Sequence, residues 1–142
     1  MRRINWNLLL PFMLLLAVVL ACNFSKTTAN ISGLRLGKDK EASSVVHDFS
    51  ARDTIYGVAE ISNVPDKVRV KGRLIVDEVE GEKPGPIPGL EDTVDLGGSG
   101  TATFTFTPPT AGWPKGRYKM EILLLTEGGE QKDQEVASFS VS

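Results

Sequence analysis

The stretch Lys67–Val79, KVRVKGRLIVDEV, decides the fold. Val68, Val70, Leu74 and Val76 point one way, and Arg69, Lys71, Arg73 and Asp77 the other. Successive side chains of a β-strand alternate between its two faces. The pattern therefore predicts a strand with one face in a core and the other in water. A helix would need apolar residues three and four apart, and that spacing is not sustained anywhere after Asn30.

The same alternation continues on both sides. Thr101–Thr107 alternates threonine with Ala102, Phe104 and Phe106. Arg117–Thr126 sends Tyr118, Met120, Ile122 and Leu124 inward and Lys119 and Glu121 outward. Leu123 and Leu125 interrupt that polar face, which predicts that its end is covered. Asp53–Ile61 sets Ile55, Gly57, Ala59 and Ile61 on one face, and Gln134–Val141 keeps Ala137, Phe139 and Val141 in register. Ile31–Leu36 and Val45–Phe49 supply two further pieces, and Gly128-Gly129 is a hairpin signal between the last two strands. About seven short strands separated by turn residues predict an all-β domain over residues 30–142, a β-sandwich or barrel. At that length roughly two-thirds of the unfolded surface can be buried, enough for an independent core.

Glu80–Gly100 breaks the pattern with Pro84, Pro86, Pro88 and six glycines. It reads as a solvated loop hiding a short strand at Thr93–Leu96. Structureless loops beyond about 12–15 residues tend to carry function, which makes Glu91, Asp92 and Asp95 candidate partner-binding residues. Carboxylates suit Ca²⁺, but the D-x-D-x-D spacing of a calcium loop is missing, so no metal site is expected. Trp113 lies in a turn, where an exposed indole would contact a partner and a packed one would serve the fold.

Gly116-Arg117-Tyr118-Lys119-Met120 resembles the G-x-Y-x-C signature that opens strand F of immunoglobulin-like domains. The resemblance implies a single immunoglobulin-like antiparallel β-sandwich. It also implies a tyrosine corner, in which the Tyr118 hydroxyl bonds to backbone just upstream. Met120 stands where the disulfide cysteine would be, so apolar packing must replace the bridge. The likeness transfers a fold and no activity.

The N-terminus reads as an export signal. Arg2 and Arg3 form a positive n-region, Leu8–Ala21 an apolar helical h-region, and Ala21 is the small residue before Cys22. The apolar run is shorter than the ~20 residues needed to cross a bilayer, and polar residues follow at once. Val19-Leu20-Ala21-Cys22 resembles the lipobox of bacterial lipoproteins, with Leu20 bulkier than is usual at its place. The resemblance implies cleavage between Ala21 and Cys22, acylation of Cys22, and a tether over residues 22–29. Asn23, in place of the aspartate associated with inner-membrane retention, points to the outer membrane of a Gram-negative cell. Cys22 is the only cysteine, so no intrachain disulfide can form, and lipidation accounts for an otherwise exposed thiol.

Removing residues 1–21 leaves 14 basic against 18 acidic residues, a net charge of about −4. Such a domain repels phosphate backbones, which excludes nucleic acid as an expected partner. The Arg69, Lys71, Arg73 stripe lacks the interleaved aromatics that stack bases. His47 is the only histidine, so zinc has no ligand set, and no G-x-S-x-G elbow supports a triad with His47 and Asp48. No enzyme and no cofactor are expected. The expected function is a non-catalytic binding module at the cell envelope, held to the membrane through Cys22, with a protein or glycan partner. A structural subunit of a larger envelope complex is the alternative.

Overall fold

The computed structural model describes residues 29–142. The signal segment 1–21, the Ala21–Cys22 junction and residues 22–28 of the tether lie outside the described residues. The described part is all-β, with eight strands: β1 Asn30–Gly37, β2 Asp48–Phe49, β3 Ile55–Ser62, β4 Val68–Val79, β5 Gly85–Leu96, β6 Gly100–Phe106, β7 Gly116–Thr126 and β8 Gln131–Val141. They form a three-stranded sheet, β1-β3-β6, and a five-stranded sheet, β2-β8-β7-β4-β5. Every pairing is antiparallel except the two-residue contact of β2 with β8.

The period-two faces lie as expected. Val68, Val70, Leu74 and Val76 of β4 are buried, as are Tyr118, Met120, Ile122 and Leu124 of β7 and Ala102, Phe104 and Phe106 of β6. Among the described residues both sheets contribute to one continuous core running from Ile31 to Val141. Each fully buried aliphatic or aromatic side chain contributes about 1.5–3 kcal/mol, which makes this core the dominant stabilising term.

Two glycines set the distance between the sheets. A Cβ on Gly57 of β3 would lie 2.1 Å from Sδ of Met120 on the facing sheet. A Cβ on Gly72 of β4 would lie 2.6–2.9 Å from three atoms of the Phe104 ring on β6. Each large side chain therefore fills the notch left by a glycine opposite, which is how an interior without a bridge reaches close packing.

The tyrosine hydrogen bond is present: Tyr118 Oη donates to the Pro114 carbonyl at 2.6 Å. Tyr118 also stacks on Phe139, whose ring meets Phe49 edge-on. Replacing Tyr118 by phenylalanine removes only the hydroxyl and leaves a partly buried carbonyl without its donor. The expected loss is about 1–2 kcal/mol, measurable as a lower urea midpoint at unchanged slope. A midpoint equal to that of the parent would show that the bond does not hold the corner.

The chain departs from expectation at Glu80–Gly100. Instead of a solvated loop with a four-residue strand, Gly85–Leu96 is a twelve-residue strand on the edge of the larger sheet. Proline cannot donate to a ladder, and edge strands tolerate it because one side of the strand has no partner to serve. The pairing is interrupted once. Ile75 sits opposite Pro86 and Arg73 opposite Glu91, so Ile87–Leu90 loop out across from Leu74. The strand β2 is likewise shorter than the expected Val45–Phe49, and Val45 is exposed.

The two ends of the sandwich are distinct. At one end Asn30 lies opposite Ser62, Ile61 opposite Gly100 and Val68 opposite Thr126. There the Ile31 amide donates to Asp133 Oδ2 at 2.8 Å, tying the start of β1 to the start of β8. Phe106, Val79 and Gly116 mark the other end, remote from where the chain enters.

Candidate functional site

The remote end carries an open groove of about 800 Å³. One wall is the strap Gly81–Leu90, which joins β4 to β5 and includes the looped-out residues. The other is built from Val76, Thr107, Pro109, Trp113, Pro114 and Tyr118. Val76 and Tyr118 are inner-face residues, so the groove opens onto the space between the sheets rather than onto a sheet face. The strap cannot collapse into it easily. Pro84, Pro86 and Pro88 fix φ at alternate positions and hold the segment extended.

Trp113 does not present an exposed indole. It is 4% exposed and belongs to the same core cluster as Tyr118. Its Nε1 donates to the Asp53 carbonyl at 2.8 Å and its amide to the Ala51 carbonyl at 2.8 Å. These bonds pin the 109–116 turn to the segment leading into β3. The Ser50 amide bonds Asp53, and with help from Lys38 it holds the Asp53 carboxyl below its usual value. Burial pushes the Tyr118 phenol above its usual value, and the negative charge of Glu82 adds to this. The hydroxyl therefore remains a donor throughout the neutral range.

The three acidic candidates are not gathered at the groove. Asp95 pairs with Arg69 at 3.4 Å and Glu91 with Lys71 at 2.8 Å, while Asp92 Oδ1 accepts from the Thr93 amide at 2.9 Å. The basic stripe of β4 and the acids of β5 meet in register on the outer face and neutralise each other. Exposed pairs of this kind are worth at most about 1 kcal/mol, so the ladder sets strand register more than stability. It leaves neither a carboxylate cluster for a cation nor a basic strip for an anion. Among the described residues no group of three or more His, Cys, Asp or Glu is placed to hold a metal ion.

One polar constellation escaped the sequence reading. Glu121, expected in water, is 7% exposed on the outer face of β7. Arg73 reaches its Oε1 through Nε at 2.7 Å and through an η nitrogen at 2.6 Å, and Gln134 Nε2 donates to Oε2 at 2.9 Å. The visible signal was the pair Leu123 and Leu125, whose apolar side chains on the same face predicted cover. At the opposite edge, Ser140 Oγ donates to Asp48 Oδ1 at 3.0 Å and Ser140 N to the His47 carbonyl. A nucleophile–base pair would need that hydroxyl on the His47 imidazole.

Two facing sheets with a groove at one end define a β-sandwich-like domain, and comparison with known proteins reaches no further than that class. No family model matches the chain, and no curated protein does. Among solved structures it is similar to part of a β-glucosidase from Listeria innocua in complex with glucose. That match has a TM-score of 0.51 and 16% identity, over 78% of this chain and 16% of that one. The chain thus spans about a sixth of the enzyme. Two further likenesses are weaker in shape. The soluble domain of PmoD from Methylocystis sp. ATCC 49242 (Rockwell) gives a TM-score of 0.44 at 18% identity, covering 77% and 89%. A Niemann-Pick type C2 protein from the Japanese carpenter ant gives 0.43 at 12%, covering 83% and 96%. At 16% identity the β-glucosidase match speaks to the fold alone.

Proposed function

We propose that this chain is a lipid-anchored envelope protein whose immunoglobulin-like domain is a non-catalytic binding module, engaging its partner through the end groove. The Tyr118–Pro114 bond supports the immunoglobulin-like assignment. The anchor rests on Val19-Leu20-Ala21-Cys22 behind a positive and then apolar segment. One acyl chain holds a protein to a bilayer only marginally, whereas the two or three of a mature lipoprotein hold it durably.

The observation that carries the binding reading is the groove's position. The domain begins at the end marked by Asn30, and the groove lies at the opposite end. The groove therefore lies at the end of the domain away from the tether's attachment, and the eight tether residues reach about 28 Å at full extension.

Labelling bacterial cells with a palmitate analogue tests the anchor. The full chain is expected to take up label and to sediment with membranes, starting at Cys22 by mass spectrometry. Cys22→Ala is expected to lose the label and leave the membrane fraction almost completely. An unlabelled mature chain would overturn the anchor. A photo-crosslinker at Ile87 tests the groove separately: it should capture a partner that the same group at Val136, on the outer sheet face, does not.

A further inference from the structure

We infer that the groove takes a free single-chain fatty acid, its hydrocarbon between the strap and the sandwich and its carboxylate at Lys83. The inference rests on reading the domain as a binding module and names the ligand's chemistry. It does not depend on the anchor.

The wall argues for hydrocarbon. Val76, Ile87, Leu90, Trp113 and Tyr118 line it together with prolines of the strap and turn. A sugar or peptide is recognised through polar groups that converge on it. Here the two polar groups of the aromatic wall are already committed, Trp113 Nε1 to Asp53 and Tyr118 Oη to Pro114. A polar ligand would lose water and gain little in exchange, whereas an acyl chain loses nothing by leaving water. The volume of about 800 Å³ lies within the range of small-ligand sites.

The rim argues for a carboxylate. The cations of the neighbouring outer face are matched: Arg69 by Asp95, Lys71 by Glu91 and Arg73 by Glu121. Lys83, which lines the groove, is in none of the described salt bridges; Glu82, next to it in the chain, lines the same groove, and its charge acts on Tyr118. An ammonium group above an apolar slot fits an amphiphile that is negative at one end.

The test uses the full chain with Trp6→Phe, which leaves Trp113 as its single tryptophan. The probe is cis-parinaric acid, a fluorescent fatty acid that accepts energy from indole. Saturable emission sensitised by Trp113 is expected, displaced by oleate and unaffected by glucose. Ile87→Asp, which puts a charge in the half-exposed strap, should weaken binding at least about tenfold. Lys83→Gln should weaken oleate about tenfold and leave oleyl alcohol unchanged, the mark of a carboxylate contact. Phosphatidylglycerol vesicles present the same chains inside a bilayer and should leave Trp113 emission unchanged. Absence of sensitised emission overturns the proposal, as does binding indifferent to both substitutions or an equal response to vesicles. If the fatty acid fails while a crosslinker at Ile87 still captures a protein, the ligand class falls and the binding module stands.

Discussion

Gly72→Val is expected to destabilise the domain by about 3 kcal/mol, a fall in Tm of about 10 °C or more for a domain of this size. Gly72 has no backbone reason to be glycine, since its φ lies outside the left-handed range. Valine is moreover favoured in strands over glycine by up to about 1 kcal/mol. The penalty is steric. The first added carbon would sit 2.6, 2.8 and 2.9 Å from Phe104 ring atoms, and that ring is fully buried on the opposite sheet. A rigid ring cannot bend aside as a flexible side chain does, so the two sheets must separate locally. Thermal melts of parent and variant decide it. An equal Tm would mean that the sheets are less closely packed at Phe104 than these distances require.

Met120→Ala should cost about 3 kcal/mol, within the range for emptying a buried site of this size. Gly57→Ala alone should cost about 2 kcal/mol, because its Cβ lands 2.1 Å from the Met120 sulfur. Together the two should cost clearly less than their sum, with a coupling of about 1–2 kcal/mol, since each relieves what the other causes. A double-mutant cycle by urea unfolding measures this. Strict additivity would show that Met120 moves away freely and that the notch opposite it has no energetic role. The cycle also tests how this sandwich packs at Met120 without a cysteine there.

The inward faces of β4, β6 and β7 could be read from the chain, because alternation across a strand is a local property of the backbone. The Tyr118 corner was legible for the same reason: donor and acceptor are four residues apart. The extent of β5 was not. Its prolines argue against a ladder, and what permits them is an edge position that depends on where β4 lies. Val58 is a second case. It sits on the polar side of the β3 alternation, yet it is buried between neighbours in register, Arg35 of β1 and Thr103 of β6.

The candidate site divides along the same line. Glu91, Asp92 and Asp95 were visible as a cluster and Arg69, Lys71 and Arg73 as a stripe, and each reading was sound by itself. Strand pairing set one against the other and left no exposed patch of either sign. Trp113 was visible as a turn aromatic, but whether its indole met solvent depended on Asp53, sixty residues away.

From the chain alone came strand-forming segments, their buried faces, the single cysteine Cys22 and the acidic balance of the chain. All of these follow from neighbours in sequence or from composition. Tertiary structure alone decided which glycine lies beneath which large side chain, which charges cancel, and that the proline-rich segment walls a groove. Those outcomes depend on residues far apart in the chain, and no periodicity along one strand records what the facing sheet will bring against it.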